Sequence, residues 1–257
     1  MAAKKHDSKK LATTQITEVL KVTEGRLDAV IVGDKLILNR MSEKARRELI
    51  YPGRRERRDG LKHEPLREFR DSPYTLSDPK APTLIAQVAT AFKGGMCNAA
   101  IDLPGMKKAQ VGRFVWVLND LIPIYGVPKM LMSVVRMADM NRTPDIHTRV
   151  IVPEWACRLQ ITFAEQLIRP QAVVNLLAAA GLMQGVGDWR PEKGKGNFGR
   201  FRLTDANDPD FKRIVRAGDR KVQVAAMETP DFYDAETADL YGWFVEERKR
   251  RELKGVA

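Results

Sequence analysis

The chain has 257 residues, 44% of them apolar, enough to bury one large core or two small ones. Its 44 Lys/Arg against 33 Asp/Glu leave a formal charge of +11, which points to a polyanionic partner. Two isolated cysteines exclude a disulfide framework, the absence of an eighteen-residue apolar run excludes a membrane span, and the lysine-rich start is no signal peptide.

Residues 1–20 read as a basic N-terminal arm. Leu27–Val32 and Lys35–Leu38 flank Gly33-Asp34, a two-residue turn signal, so a β-hairpin is expected there. A short helix follows from Glu43, with Ser42 as its N-cap. Residues 51–82 lack any sustained period and read as a long inserted loop. Arg54, Arg55, Arg57 and Arg58 form a cationic knot within it, either a solvated charge run or a nucleic-acid contact.

Leu84–Ile101 has a helical pattern that Gly94-Gly95 should weaken or end, and Lys107–Leu118 has another. Leu121–Val127 and Met130–Met140 fit strands of a hairpin arm, within a second insertion at 128–149. Val150–Phe163 is the clearest strand, with Trp155, Cys157, Leu159, Ile161 and Phe163 on one side and Arg158, Gln160 and Thr162 on the other. Pro153 marks a bulge or an edge. A helix opens at Pro170, buries Val173, Val174, Leu176, Leu177 and Ala180, and should stop at Gly181. Phe198–Leu203 is the last strand, and Asp234–Lys254 a terminal helix.

That order of strands and helices matches the split βαβ plan. The expectation is an α+β chain with a ferredoxin-like core at 21–203, insertions at 51–82 and 128–149, and a C-terminal helical extension at 204–257.

Six of the eighteen glycines fall between Gly181 and Gly199, between the last helix and the last strand of that core. Gly185-Val186-Gly187 could turn its N–H groups outward as an anion nest. Arg190, Lys193 and Lys195 add charge, which Arg200 and Arg202 extend along the strand, and Trp189 and Phe198 offer surfaces for unstacked bases. A hairpin loop whose tryptophan packs inward is the competing reading. The run is neither a Walker A loop nor a dinucleotide fingerprint, since GxxxxGK[ST] is missing and it follows a helix.

The pattern Gly185-Val-Gly187-Asp-Trp189-Arg190-Pro191 … Phe198-Gly199-Arg-Phe201, preceded by Val152-Pro-Glu-Trp155, resembles a group of bacteriophage and prophage proteins. The glycine-rich loop between last helix and last strand, on Gly185, Gly187, Gly194, Gly196 and Gly199, is similar to the RAMP superfamily, which includes backbone subunits of class 1 CRISPR complexes. That resemblance implies oligomerisation along single-stranded RNA.

Catalytic groups do not assemble in the sequence. His6, His63 and His147 lie in the arm and in two expected loops, and no serine elbow or metal-ligand spacing is present. The expectation is therefore a non-enzymatic, cytoplasmic protein without cofactor or metal, in a bacterial host and encoded by phage or prophage. It would bind single-stranded RNA or DNA largely independently of sequence, as a homo-oligomer or part of a nucleoprotein assembly. The alternatives are a phage single-strand annealing protein, a phage structural or host-interaction protein, and a repeat-processing ribonuclease using His147.

Overall fold

Two long strands, Glu24–Leu38 (β1) and Pro144–Ala164 (β7), form an antiparallel ladder that runs from Glu24 opposite Ala164 to Leu38 opposite Val150. They belong to a computed structural model that describes residues 20–41, 43–50, 63–136 and 143–254. Between them lie α1 (Glu43–Ile50), α2 (Pro65–Asp71), β2 (Tyr74–Thr75), β3 (Ile85–Val88) and α3 (Ala89–Asp102). Then come α4 (Lys108–Phe114), β4 (Val115–Val117), β5 (Leu121–Pro123) and β6 (Lys129–Arg136). After β7 follow α5 (Pro170–Ala179), β8 (Phe201–Thr204), α6 (Pro209–Ala217), α7 (Arg220–Glu228) and α8 (Ala235–Lys254).

The main sheet is antiparallel in the order β4-β7-β1-β8, and β6 pairs with the first part of β7 on the same edge as β4. A smaller antiparallel sheet has the order β2-β3-β5. The chain is thus an α+β protein with antiparallel sheets and a C-terminal helix.

The expected hairpin at Gly33-Asp34 is replaced by one continuous strand, because β1 finds its partner in β7 and not in itself. What the turn residues encode is a kink. Lys35 takes φ 47 opposite Pro153, the one place where the ladder has no pair, and Pro153 has no N–H to give. Alternation slips there by one residue in both strands together. On β1 the core side holds Ala29 and Ile31 before the kink and Leu36 and Leu38 after it; on β7 it holds Val150 and Val152, then Trp155 and Cys157.

Four more expectations are corrected around this sheet. Residues 84–101 are a strand and then a helix, and α3 passes through Gly94-Gly95 without ending. The region 63–82 contains α2 and β2, so the first insertion is not all loop. At 128–149, β6 and β7 extend the main sheet, while β5 pairs with β3 and forms no hairpin arm with β6. The helix expected over Lys107–Leu118 turns into β4 at Val115. Ser42 and the arm at 1–19 lie outside the described residues.

The core lies between the sheet and the helices α3, α4 and α5. Phe92, Trp155 and Phe201 meet edge-on at its centre, with ring centroids 6.0 to 6.4 Å apart. On the opposite face α6 lays Phe211 and Ile214 over Val32 and Ala156, and Phe198 and Tyr233 cover Ile37, Leu131 and Ile151. Thr162, expected on the outward face of β7, is buried.

Candidate nucleic-acid interface

The glycine-rich run starts where α5 ends. The helix does not stop at Gly181; it continues as a π turn over Ala180–Gln184 and ends at Gly185, whose N–H donates to the Ala180 carbonyl at 2.8 Å. The loop then folds back on the sheet. Val186 N–H donates to Gly199 O at 2.9 Å, Asp188 N–H to Ile37 O at 2.9 Å, and Gly199 N–H to Lys35 O at 3.1 Å. Gly199 has φ 70, and a Cβ there would stand 1.7 Å from Val186 O, so no other residue fits. The Gly185 and Val186 amides are satisfied internally, and the expected outward nest does not form.

Asp188 locks the loop to the sheet. Its carboxylate accepts from Arg149 Nη1 at 2.8 Å, from Asn39 Nδ2 at 2.9 Å and from the Trp189 N–H at 2.9 Å. Arg149 is buried on β7 and donates a second bond to Ser133 Oγ at 2.6 Å. Burial alone would raise the Asp188 pKa; the bonds from Arg149, Trp189 and Asn39 outweigh it and hold the carboxyl below its ordinary value.

The thirteen residues expected to bind nucleic acid separate into groups. Arg54, Arg55, Arg57 and Arg58 lie outside the described residues. Arg190 is committed to the loop, donating to Gly187 O at 2.8 Å and pairing with Glu192 at 2.6 Å. Arg202 pairs with Asp208 at 2.8 Å and Asp210 at 3.0 Å, so its charge is offset. Phe198 packs against Ile37, Leu131 and Ile151 and is no free platform. Gly185 and Gly187 shape the loop.

What remains presented to solvent is Trp189, 43% exposed, with the exposed side chains of Lys193, Lys195 and Arg200. Trp189 holds φ 47, a conformation that costs a bulky residue energy and persists only where its surroundings impose it. The Asp188 carboxylate, the bond from Phe198 N–H to Trp189 O and the close approach of Gly196 to the same carbonyl supply that constraint. Lys35 joins the set from β1, exposed at the kink beside Gly199 and Arg200. Sequence reading missed it, and its position directly after the Gly33-Asp34 signal was the available clue. These four cations form no ion pair among the described residues.

Behind the loop lies a cleft of about 280 Å³ between the start of α3 and residues 186–192, lined also by Asn39, Tyr74 and Gln87. Of the three histidines, His6 lies outside the described residues, His63 is in the loop before α2 as expected, and only His147 departs from its expected loop. His63 reaches Glu68 at 3.1 Å and Asp145 at 2.9 Å, and its pKa is raised, first by the bond to Glu68, with Asp145 adding to it against the cost of burial. His147 lies on β7, where burial and then the Arg149 charge lower its pKa. Among the described residues no group of three or more His, Cys, Asp or Glu is arranged to hold a metal ion, and no helix is long and apolar enough to cross a membrane.

No family model and no curated protein matches the chain. Among solved structures it is similar to a chain of the type III-B Cmr-β complex bound to cognate target RNA, determined by cryo-EM. The similarity has a TM-score of 0.36 at 14% identity, covering 71% of this chain and 59% of that one.

Proposed function

We propose that the protein binds single-stranded nucleic acid, without catalysing a reaction on it, in the manner of a RAMP-like subunit. The observation that carries the reading is Trp189, held half-exposed at an unfavourable φ on the loop of Lys193, Lys195 and Arg200, which bonds to β1 at Lys35; these four cations form no ion pair among the described residues. A tryptophan face stacks on any base, and lysines and arginines neutralise phosphates, so the pairing is largely indifferent to sequence. The fold supports the reading too. With the β4/β6 edge counted as one strand, the main sheet has the fourth-first-third-second order of a ferredoxin-like core, and the glycine-rich loop bridges its last helix and last strand. Copies of the chain would line up along one strand of nucleic acid, in a cytoplasmic nucleoprotein assembly.

Titrating labelled single-stranded RNA, single-stranded DNA and duplex across about 50 to 300 mM salt tests this. A single strand gives a log–log slope of about −0.7 per phosphate contact, so Lys35, Lys193, Lys195 and Arg200 together should contribute about −3. Replacing Lys193 and Lys195 by Ala should reduce the magnitude by about 1.4, and Trp189→Ala should weaken binding by about 1–3 kcal/mol with the slope unchanged. Preference for DNA with annealing of complementary strands would identify a recombination protein instead. No binding at the lowest salt would end the reading and leave the cations to an acidic protein.

A further inference from the structure

The cleft behind the loop has a chemistry that the surface cations do not explain. At about 280 Å³ it falls just below the roughly 300–1,000 Å³ of pockets for drug-sized ligands, so it suits one ring system and not a whole cofactor. One wall is Gln87, 94% buried, whose Oε1 accepts from the Val88 N–H at 3.0 Å and whose amide nitrogen has no partner among the described residues. Gln87 lines the cleft, so this amide is available to donate to an acceptor held there. Opposite stand acceptors. Asn98 gives its Nδ2 to Glu192 and keeps its oxygen free, and Asn39 gives its Nδ2 to Asp188 and does the same. Tyr74 contributes an aromatic wall, with the Arg40 guanidinium 5.0 Å over its ring. The N-terminus of α3 opens at the same place with no side-chain cap.

We infer that this cleft takes a single unstacked nucleobase, and among the four bases guanine. Guanine presents two N–H groups to the acceptors Asn98 and Glu192 and one carbonyl to the Gln87 amide or the open helix end. Uracil offers one N–H between two carbonyls, and adenine and cytosine offer no ring N–H in a nucleotide, so they match the Asn98, Glu192 and Gln87 set less completely. The inference rests on the proposed single-strand binding for the origin of the base, whereas the pocket itself does not depend on it. A base held here would add a preference for guanine to a grip that is otherwise indifferent to sequence.

Gly94 provides the test. It lines the cleft, and a Cβ at this position would meet nothing within 4 Å, so Gly94→Leu fills the space from inside a helix that gains from losing a glycine. Gln87→Glu keeps the acceptor for Val88 and removes the donor. Calorimetry with GMP, AMP, CMP and UMP reads the pocket directly, and 12-nucleotide homopolymers in a salt series read the surface. The expected result is GMP binding ahead of the other three, lost about tenfold or more in both variants, while Gly94→Leu keeps the oligonucleotide salt slope. GMP binding to a wild-type protein that ignores oligonucleotides would uphold the pocket and sink the single-strand reading. Absence of any base preference in the wild type, or equal GMP affinity in wild type and Gly94→Leu, would overturn the inference. Competition by inorganic phosphate alone, with no effect of the base, would do so as well and assign the cleft to a phosphate.

Discussion

Arg149 and Asp188 stand 39 residues apart, and their contact governs the exposed tryptophan, because one carboxylate accepts from Arg149 and from the Trp189 N–H. Arg149 is buried and Asp188 only half-buried, so removing the cation leaves a partly solvated carboxylate, and Arg149→Met should cost about 1–3 kcal/mol in urea unfolding and alter Trp189 emission. Asp188 and His63 respond to pH in opposite directions. Asp188 has a depressed pKa, so its contribution is present above the ordinary Asp value of about 3.9 and fades as pH falls through the lower folded value. His63 has a raised pKa, so its contribution is full below about pH 6.5 and is lost as pH rises through the folded value. Both neighbours of His63 are carboxylates that only accept, and a neutral ring has one donor; only the imidazolium serves both. His63→Ala should therefore destabilise the protein in acid and converge on wild type in base. An equal loss at pH 5 and pH 9 would show that the ring acts through packing alone. That Trp189, Lys193 and Lys195 share one exposed loop was legible in the sequence. The pairing of Arg190 and Arg202 was not, because it depends on where Glu192, Asp208 and Asp210 come to lie.

Two elements were read correctly from local signals, although the stop expected at Gly181 was not. The alternation from Trp155 to Phe163 and the Pro170 start of α5 both survive, because a buried face and a fixed proline φ need no distant partner. The Gly33-Asp34 signal failed for the opposite reason. Its strand pairs with residues 150–164, far along the chain, and that ladder overrides the local turn preference. Gly33 has a packing role in the outcome, since a Cβ there would lie 2.4 Å from the Trp155 indole, which donates its Nε1–H to Asp34 O at 3.4 Å. Gly33→Ala should push the indole out of place and cost about 1–3 kcal/mol as overpacking. The comparison is Gly94→Ala, in open space within α3, which should stabilise by about 0.5–1 kcal/mol through helix propensity. Thermal melts of the two variants should shift in opposite directions; a melting temperature unchanged in Gly33→Ala would mean that the kink yields to make room.

At the scale of the whole molecule, the region after residue 204 is keyed into the body by a side chain that no sequence pattern announced. Gln223 on α7 is fully buried; its oxygen accepts from the Leu84 and Ile85 N–H groups, and its nitrogen donates to the carbonyls of Ile124, Gly126 and Gly218. Arg70 reaches the last carbonyls of the same helix, at Met227 and Glu228, and Arg220 bonds Leu76 O and Thr83 O. A glutamine inside an otherwise mixed helix reads as surface until its five backbone partners, drawn from β3, the chain after β5 and the turn before α7, are brought around it. Met227 lies in the main core, and Phe211 and Ile214 cover the outer face of the sheet at Val32 and Ala156. A chain ending at residue 204 would lose all of these contacts at once and should not unfold cooperatively. Gln223→Leu keeps the bulk and removes only the hydrogen bonds. Each buried backbone group left unsatisfied costs about 1–3 kcal/mol, so the loss should reach about 3 kcal/mol or more. In the intact protein, near-UV circular dichroism should show one transition shared by the sheet and the C-terminal helices. Two transitions, with Gln223→Leu moving only one of them, would show that the helices after residue 204 fold as a unit of their own.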